Sequence, residues 1–308
     1  MRLVFMGTPD FSVPSLRLLH EAGHDIASVV TAPDRKRGRG QKLSPTPVKQ
    51  YADTQAFPVL QPETLKDPGF VDRLRRLEAD CFVVVAFRIL PEEIFALPPR
   101  GSFNLHASLL PKYRGAAPIN WALIKGERES GVTTFFLRRK VDTGGIILQE
   151  PVDLHENMTA GQLHDMLAEI GAEVVVRTAA MIADGTVEVQ PQDDAQATPA
   201  PKIFRDTCRI EWTRSARAVH DHIRGLSPHP AAWTTLGQAQ MQILISRVNE
   251  EESVGTPGCI THEADVLRVQ CGSGSLHLHE IKPEGRRPMT VGEYLRGHQI
   301  AEGAVFGE

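Results

Sequence analysis

The sequence predicts a doubly wound α/β domain with a mostly parallel sheet, followed by a small antiparallel β-barrel. Strand and helix patterns alternate through about the first 190 of the 308 residues, as they do in parallel sheets with crossover helices. Beyond residue 204 the pattern changes to short strands separated by turn residues, which is typical of antiparallel barrels. The length of the chain also favours two domains over one.

The elements of the α/β part follow one another in a regular order. We predict strands in RLVFM, DIASVVTA, CFVVVAF, SFNLHAS, GVTTFFL and IILQEPVDL, and helices in VPSLRLLHEAG, PGFVDRLRRLEA, APINWALIKG and AGQLHDMLAEIGAEVVVRTAAMIADG. The continuous apolar run CFVVVAF is typical of a central strand that is covered on both faces. We therefore place a first domain at 1–189, a linker at 190–203, where Gln, Asp, Ala and Pro dominate without periodicity, and a β-barrel at 204–308.

Composition and charge exclude several classes of protein. The net charge of −4 argues against a general nucleic-acid binder. No apolar run is long enough for a membrane span, and the short N-terminal apolar run before Gly7 predicts a buried strand and not a signal peptide, so we expect a cytoplasmic protein. One segment is locally basic, because residues 34–49 hold six Lys and Arg residues against Asp34 alone, a balance of 6 − 1 = +5. That segment is able to meet a polyanion.

Cysteine and histidine spacing predicts neither a disulfide framework nor a metal site. The four cysteines, Cys81, Cys208, Cys259 and Cys271, show no C-x-x-C spacing. Two H-x-H pairs, His220/His222 and His277/His279, could each place two imidazoles on one strand face. No third ligand stands at a convincing spacing, and we therefore interpret both pairs as solvated or packed in the core.

Polar residues with catalytic chemistry follow two of the predicted strands. Asn104 and His106 alternate with Phe103 and Leu105 at the end of one strand, and Asp142 begins a D-T-G-G turn. Ligands bind beyond the carboxyl ends of strands in α/β sheets. An amide, an imidazole and a carboxylate converging there suit proton transfer and stabilisation of a developing oxyanion. Taken alone, Asn104 and His106 could instead be a polar pair that satisfies backbone groups at a strand end.

A set of longer motifs resembles one family. They are F-M-G-T-P-D-F at 5–11, P-D-R-x-x-G-R-G-Q-K-L at 33–43, N-L-H-A-S-L-L-P-K-Y-R-G-A-A-P-I at 104–119, G-V-T-T at 131–134 and V-D-T-G at 141–144. In this order they resemble the folate-dependent formyltransferases, and they span nearly the whole first domain. No G-x-G-x-x-G dinucleotide motif is present, which argues against a nicotinamide cofactor.

The resemblance implies a reaction and the residues that perform it. The formyl group would pass from N10 of 10-formyltetrahydrofolate to the amino group of methionyl initiator tRNA, without a metal ion. Asn104, His106 and Asp142 would be the catalytic residues. The folate would be bound by two segments, Arg88, Ile89 and Leu90 in the first and Ser108, Leu109, Leu110 and Pro111 in the second. The segment at 87–90, FRIL, departs from the A-Y-G-x-I-L-P common in the tRNA-specific members, which weakens the substrate assignment.

The resemblance also assigns residues to the acceptor substrate. Gly7 and Thr8 would shape the wall of the amine site. Phosphates of tRNA would be met by Arg35, Lys36, Arg37, Arg39, Lys42 and Arg114, with Arg39 closest to the nucleic acid. The C-terminal barrel would help to hold tRNA, although residues 204–308 carry eleven Lys and Arg against thirteen Asp and Glu. A basic face there would have to be local, and five arginines could form it: Arg209, Arg214, Arg217, Arg224 and Arg247. We expect neither a membrane nor an obligate protein partner.

Three alternatives remain open on the sequence. The same folate chemistry could formylate an amino-sugar nucleotide or another small amine, although the basic insertion at 34–49 argues against it. A hydrolase of formyltetrahydrofolate would release formate without an acceptor, but such enzymes usually lack the C-terminal barrel. A catalytically silent RNA-binding protein is a third alternative, and the intact Asn104, His106 and Asp142 argue against it.

Overall fold

The computed structural model describes residues 1–37, 42–249, 254–263, 265–301 and 303–307. Contacts divide the chain into two units. The first unit comprises Met1–Gly115, Ser130–Val152 and His164–Pro199, and the second comprises Ala116–Glu129, Asp153–Leu163 and Ala200–Glu308. No helix within the described ranges is both long and apolar enough to cross a membrane.

Eight α-helices and seventeen strands lie within the described residues. The helices are α1 Val13–Glu21, α2 Pro47–Thr54, α3 Pro68–Arg76, α4 Glu92–Phe95, α5 Pro118–Ile124, α6 Ala160–Asp184, α7 Ala216–Leu226 and α8 Val291–Leu295. The strands up to residue 200 are β1 Arg2–Gly7, β2 Asp25–Val30, β3 Arg35–Arg37, β4 Lys42–Ser44, β5 Val59–Leu60, β6 Cys81–Val85, β7 Ser102–His106, β8 Arg114–Gly115, β9 Glu129–Phe136, β10 Ile146–Asp153 and β11 Pro199–Ala200. Those of the C-terminal part are β12 Ala232–Leu236, β13 Ala239–Asn249, β14 Ile260–Glu263, β15 Val266–Gln270, β16 Ser275–Pro283 and β17 Met289–Thr290.

A seven-stranded sheet in the order β10-β9-β7-β6-β1-β2-β5 forms the centre of the first unit. The five strands from β7 to β5 along that order pair in parallel, and β9 pairs antiparallel to β7. Every residue of β6 is buried, as its continuous apolar run predicts for a strand covered on both faces. The predicted α/β fold class is confirmed.

Helix α3 shows how an amphipathic sequence covers this sheet. The Asp67 side chain accepts a hydrogen bond from the Gly69 peptide N–H, which caps the helix, and Pro68 occupies the first turn. Phe70 and Leu74 lie one turn apart and are buried in a cluster with residues of β1 and β6, among them Phe82. Burial of side chains of this size stabilises the unit by about 1.5–3 kcal/mol each.

An antiparallel sheet forms the body of the second unit. Its strands follow the order β12-β13-β16-β15-β14, and β17 pairs with β16. The two edges are joined by the C-terminal segment, because Phe306 bridges Leu236 of β12 and Val305 bridges Cys259 next to β14. The Phe306 ring also stacks on Trp212, with ring centroids 5.5 Å apart. The predicted antiparallel C-terminal fold is therefore confirmed, with its edges covered.

Helix α7 was not predicted, and it changes the interpretation of the first H-x-H pair. Residues two apart on a helix point about 200° from each other, so His220 and His222 do not share a face. His277 and His279 do lie on a strand, β16, where His277 pairs in register with Arg247. Among the described residues, no group of three or more His, Cys, Asp or Glu side chains is arranged to hold a metal ion.

Arg224 of α7 is also not where a tRNA-binding role would need it. Its side chain is 6% exposed and forms an ion pair with Asp221, with Nε and Oδ1 2.6 Å apart. A second guanidinium nitrogen donates to the carbonyl oxygen of Met158. The expectation that Arg224 contributes to a basic surface was therefore wrong, since the group is buried and neutralised.

The buried histidines of α7 predict that the protein loses stability in mild acid. Burial is the largest cause that lowers the pKa of both His220 and His222. The two histidines contribute their full share to the free energy of unfolding above their pKa in the unfolded chain, about 6.5. This contribution is lost as the pH falls below that value, because the unfolded chain then binds more protons than the folded protein. We expect thermal unfolding at pH 5.5 to occur at lower temperature than at pH 7.5, and the variant His220→Gln to show a smaller difference. An equal difference in the variant would contradict the assignment.

Candidate active site

His106 lies at the end of β7 with each ring nitrogen facing a different group. Its Nε2 is 2.9 Å from the carbonyl oxygen of Tyr113, and because a carbonyl only accepts, Nε2–H must be the donor. Its Nδ1 is 3.9 Å from Oδ2 of Asp142. Both side chains are largely buried, with 7% and 13% exposed. Nδ1 is therefore the ring nitrogen that faces the carboxylate and is left to exchange a proton.

The Asp142 carboxylate is held by the turn that follows β9. The peptide N–H of Gly115 donates to Oδ2 of Asp142 at 2.9 Å. Asp142 itself has φ = 54°, a left-handed conformation that side chains adopt only where their surroundings enforce it. Two residues later only glycine fits, because a Cβ at Gly144 would overlap the carbonyl oxygen of Phe136. This steric overlap explains why the third position of the D-T-G motif, Gly144, is a glycine.

Asn104, on the same strand as His106, is placed to bind a substrate oxygen. Its side chain is half-buried, between the buried Phe103 and Leu105. The carboxamide makes no hydrogen bond to any residue that the structure describes. An unengaged N–H donor at the carboxyl end of a strand can meet the negative charge that develops on a formyl oxygen.

The segment 108–111 is fixed by hydroxyl and amide side chains. Ser108 Oγ donates to the carbonyl oxygen of Lys112, and Thr133 Oγ1 donates to the carbonyl oxygen of Ser108. Gln149 Nε2 donates to the carbonyl oxygen of Leu110 at 2.9 Å, and the Leu110–Pro111 peptide bond is cis. Leu109 is half-buried, whereas Leu110 lies in the core. The predicted folate-binding wall at Ser108–Pro111 is thus a rigid turn directly after His106.

The second predicted folate segment, Arg88–Leu90, follows β6. The guanidinium of Arg88 donates to the backbone oxygens of Pro62 and Glu63, while Ile89 is 75% exposed and Leu90 is buried. Burial lowers the pKa of Arg88. None of the three peptide N–H groups of this segment donates a hydrogen bond to a described residue. An exposed apolar side chain beside unengaged backbone donors fits a flat heterocycle with polar edges.

Gly7 and Thr8 end β1, next to β6 in the sheet. A Cβ at Gly7 would come within 2.7 Å of Cβ of Ser12, and the Ser12 hydroxyl in turn donates to the carbonyl oxygen of Val85 at the end of β6. The close approach of this turn explains the glycine. Thr8 is half-buried at the same edge of the sheet.

The basic segment, predicted as a loop, contains the short antiparallel strands β3 and β4, here called the basic ribbon. The register pairs Arg35 with Ser44 and Arg37 with Lys42. Arg35 and Lys36 are exposed, whereas Arg39 lies outside the described residues. Lys49 does not add free charge, because its Nζ is 2.7 Å from Oδ2 of Asp34. That contact, and a hydrogen bond from Gln61, lower the pKa of Asp34.

Arg114 is engaged within the protein. Its Nε and Nη2 donate to Oε1 of Gln192 at 3.0 and 2.6 Å, and Nη2 lies 2.7 Å from Oδ1 of Asp194. Gln192 Nε2 in turn donates to the carbonyl oxygens of Asp142 and Gly144. Sequence reasoning missed Gln192, because it lies in the unpatterned segment that we expected to be a linker.

The sequence of the chain is similar to that of a known family over nearly its whole length. The sequence profile named formyl transferase matches residues 1–179, and the profile of the formyl transferase C-terminal domain matches residues 202–299. A protein of Chlorobium phaeovibrioides named methionyl-tRNA formyltransferase is 49% identical over 313 residues, covering 100% of this chain and 98% of that protein. One of the same name from Acetivibrio thermocellus is 44% identical over 311 residues, covering 100% of both chains.

Among solved structures, the fold is similar to that of an N-formyltransferase from Helicobacter canadensis in complex with folinic acid and dTDP-3-aminofucose. The TM-score is 0.69 at 20% identity, covering 90% of this chain and 98% of that one. At this identity the similarity concerns the fold alone. The two profiles and the full-length relatives together establish that the chain belongs to the formyl transferase family.

Proposed function

We propose that the protein is the enzyme that transfers the formyl group of 10-formyltetrahydrofolate to the amino group of methionyl initiator tRNA, for translation initiation. The observation that carries the proposal is the full-length similarity to proteins named methionyl-tRNA formyltransferase. The similarity to an N-formyltransferase bound to an amino-sugar nucleotide is confined to the fold, so formylation of a sugar nucleotide is the weaker alternative.

Asn104, His106 and Asp142 have complementary tasks in this reaction. 10-Formyltetrahydrofolate supplies the formyl carbon that the amine attacks. Asn104 donates an amide N–H to the formyl oxygen as negative charge develops there. Asp142 and Nδ1 of His106 stand 3.9 Å apart and receive the proton that the attacking amine must lose. That proton returns to the folate N10 as the bond from N10 to the formyl carbon breaks.

The hydrogen bonds of His106 help to divide these tasks. A protonated imidazole is also able to donate to the formyl oxygen from its ring. In the structure Nε2–H is committed to the Tyr113 carbonyl oxygen, so donation to the formyl oxygen would have to come from Nδ1. We therefore assign the formyl oxygen to Asn104, and proton transfer to His106 and Asp142.

The residues at the carboxyl edge of the sheet fit the folate. Ile89 and Val141 are large apolar side chains that remain 75% and 47% exposed, and an aromatic ring system would bury them. The unengaged peptide N–H groups of Arg88–Leu90 supply donors for its polar edge. The rigid turn Ser108–Pro111 forms the other proposed wall, next to His106.

The second unit carries a surface suited to RNA. Lys125 lies over Trp121, and Arg205 and Arg209 lie over Trp233, with each charged group 5.6–5.9 Å from its ring centroid. A cavity of about 240 Å³ is lined by Trp121, Lys125, Arg209, Arg214 and His222, together with the acidic residues Asp206 and Glu211. Unpaired RNA bases stack on aromatic rings and guanidinium planes. These contacts support a tRNA-binding role for the C-terminal unit despite its net negative charge.

The basic ribbon predicts a salt-dependent effect on tRNA recognition. We expect the double variant Arg35→Ala/Lys36→Ala to raise the KM for tRNA several-fold and to reduce the slope of log KM against log salt by about one per lost phosphate contact. We expect Arg39→Ala likewise to raise the KM for tRNA and to reduce this slope. Lys66→Ala, an exposed lysine outside the ribbon, is the matched control. An unchanged slope in the double variant would mean that the ribbon does not touch phosphates.

Competition between acceptors tests the proposed substrate. Formyl transfer from 10-formyltetrahydrofolate would be measured with methionyl initiator tRNA and, separately, with a dTDP-amino sugar. We expect kcat/KM to favour the tRNA by several orders of magnitude. A preference for the sugar nucleotide would overturn the assignment while leaving the folate chemistry in place.

A further inference from the structure

We infer that Gln192 is a positioning residue for catalysis, which holds the Asp142 carboxylate against His106. This inference rests on the proposed function, since it assumes that Asp142 takes part in proton transfer. The carboxamide of Gln192 connects the Asp142 turn to Arg114. Gln192 lies fifty residues from Asp142 in the chain and seventy-eight residues from Arg114.

Only one orientation of the Gln192 amide fits its surroundings. The Arg114 guanidinium can only donate, so the Gln192 oxygen must face it, and it accepts two hydrogen bonds. The carbonyl oxygens of Asp142 and Gly144 can only accept, so the Gln192 NH₂ must face them, and it donates at 3.0 and 2.8 Å. Both donors and both acceptor positions of the amide are used, which makes the contact specific for glutamine.

The hydrogen bonds from Gln192 fix the backbone of the turn that carries Asp142. The two carbonyl groups flank Thr143, so the peptide planes on both sides of the turn are fixed. Asp142 has a positive φ, and such a conformation persists only where neighbouring groups enforce it. Gly115 N–H holds the carboxylate itself. Gln192 therefore restrains the backbone from which the carboxylate projects toward Nδ1 of His106.

Arg114 is in turn well anchored, and it links both halves of the catalytic pair. Its peptide N–H donates to the carbonyl oxygen of Thr198 at 2.9 Å, and its guanidinium pairs with Asp194, whose pKa it holds below the usual value. The preceding residue, Tyr113, supplies the carbonyl oxygen that orients His106. The pair Tyr113–Arg114 thus orients the imidazole directly and the carboxylate through Gln192.

The test compares Gln192→Ala with Gln196→Ala, a nearby exposed glutamine that bonds to Asp193. We expect Gln192→Ala to lower kcat by about 10–100-fold, as small misplacements of reacting groups do, with little change in KM for either substrate. Gln196→Ala should match the wild type. Gln192→Glu keeps the acceptor for Arg114 but loses the NH₂ donors, so it should lose as much kcat as the alanine variant and stands in for it if that variant does not fold. Normal kcat in the folded variants would overturn the inference.

A double-mutant cycle separates positioning from general destabilisation. In the Asp142→Asn background, Gln192→Ala should lower kcat no further, because its effect passes through the carboxylate. An equal additional loss would show that Gln192 acts elsewhere and would overturn the inference. Normal turnover of Asp142→Asn alone would instead refute the proposed role of Asp142, whereas an impaired Asp142→Asn beside a normal Gln192→Ala refutes only the positioning role.

Discussion

Replacing Asp142 by asparagine is expected to lower kcat by about 10²–10⁴-fold, the range associated with loss of a proton-transfer group. The oxygen of the new amide can still accept from the Gly115 N–H, which Asp142 Oδ2 accepts at 2.9 Å. The same oxygen lies nearest Nδ1 of His106, but a neutral amide oxygen is a far weaker base than a carboxylate and does not receive the proton. Folate binding should be retained, because the shape of the turn is kept.

Steady-state kinetics and a titration with 10-formyltetrahydrofolate measure the two quantities separately. Asp184→Asn, at the exposed end of α6, is the matched control and should leave both unchanged. Near-normal turnover of Asp142→Asn would remove the carboxylate from the mechanism. If folate binding were lost, and turnover fell only by the same factor as folate binding, Asp142 would be a binding residue and not a catalytic one.

Replacing Asn104 by alanine is expected to lower kcat by about 10²–10³-fold, the cost of removing one donor to a developing oxyanion, about 2.7–4 kcal/mol. The KM values should change little, because the hydrogen bond strengthens only as the oxygen gains charge. Asn104→Asp should be at least as inactive, since it places a negative charge next to that oxygen. Asn157→Ala, an exposed asparagine, is the control.

The ratio of effects on kcat and KM distinguishes this role from simple substrate binding. A rise in KM with normal kcat in Asn104→Ala would show that the amide binds the ground state and transition state equally. That result would leave the formyl oxygen without an assigned donor, and Nδ1 of His106 would become the next candidate.

Local sequence patterns predicted the elements in which all residues have similar surroundings. The run CFVVVAF predicted a strand covered on both faces, because every residue of β6 meets apolar neighbours. Helix α7 was missed, although its apolar residues Val219, Ile223 and Leu226 recur at helical spacing. The reason is that the sequence after it consists of strand-like runs. The period of the apolar residues would have been the better guide there.

The candidate site was predictable only as far as its residues follow motifs. The sequence suggested that His106 and Asp142 lie together, and the structure places them 3.9 Å apart, while their roles stay predictions. Gln192 carries no local signal, because its hydrogen bonds join residues far apart in the chain. Arg114 and Arg224 were both expected to present positive charge toward tRNA. Charge alone does not reveal that Arg114 is bound by Gln192 and Asp194. Nor does it reveal that Asp221 neutralises Arg224 inside the protein.

The stoichiometry of the reaction tests the central proposal most directly. Tetrahydrofolate and formyl-methionyl-tRNA would be quantified together after mixing the enzyme and 10-formyltetrahydrofolate with methionyl initiator tRNA, beside a reaction without acceptor. We expect equal amounts of both products, and no tetrahydrofolate when the acceptor is omitted. Tetrahydrofolate and formate formed at the same rate without tRNA would contradict it, and would identify the chain as a hydrolase of formyltetrahydrofolate.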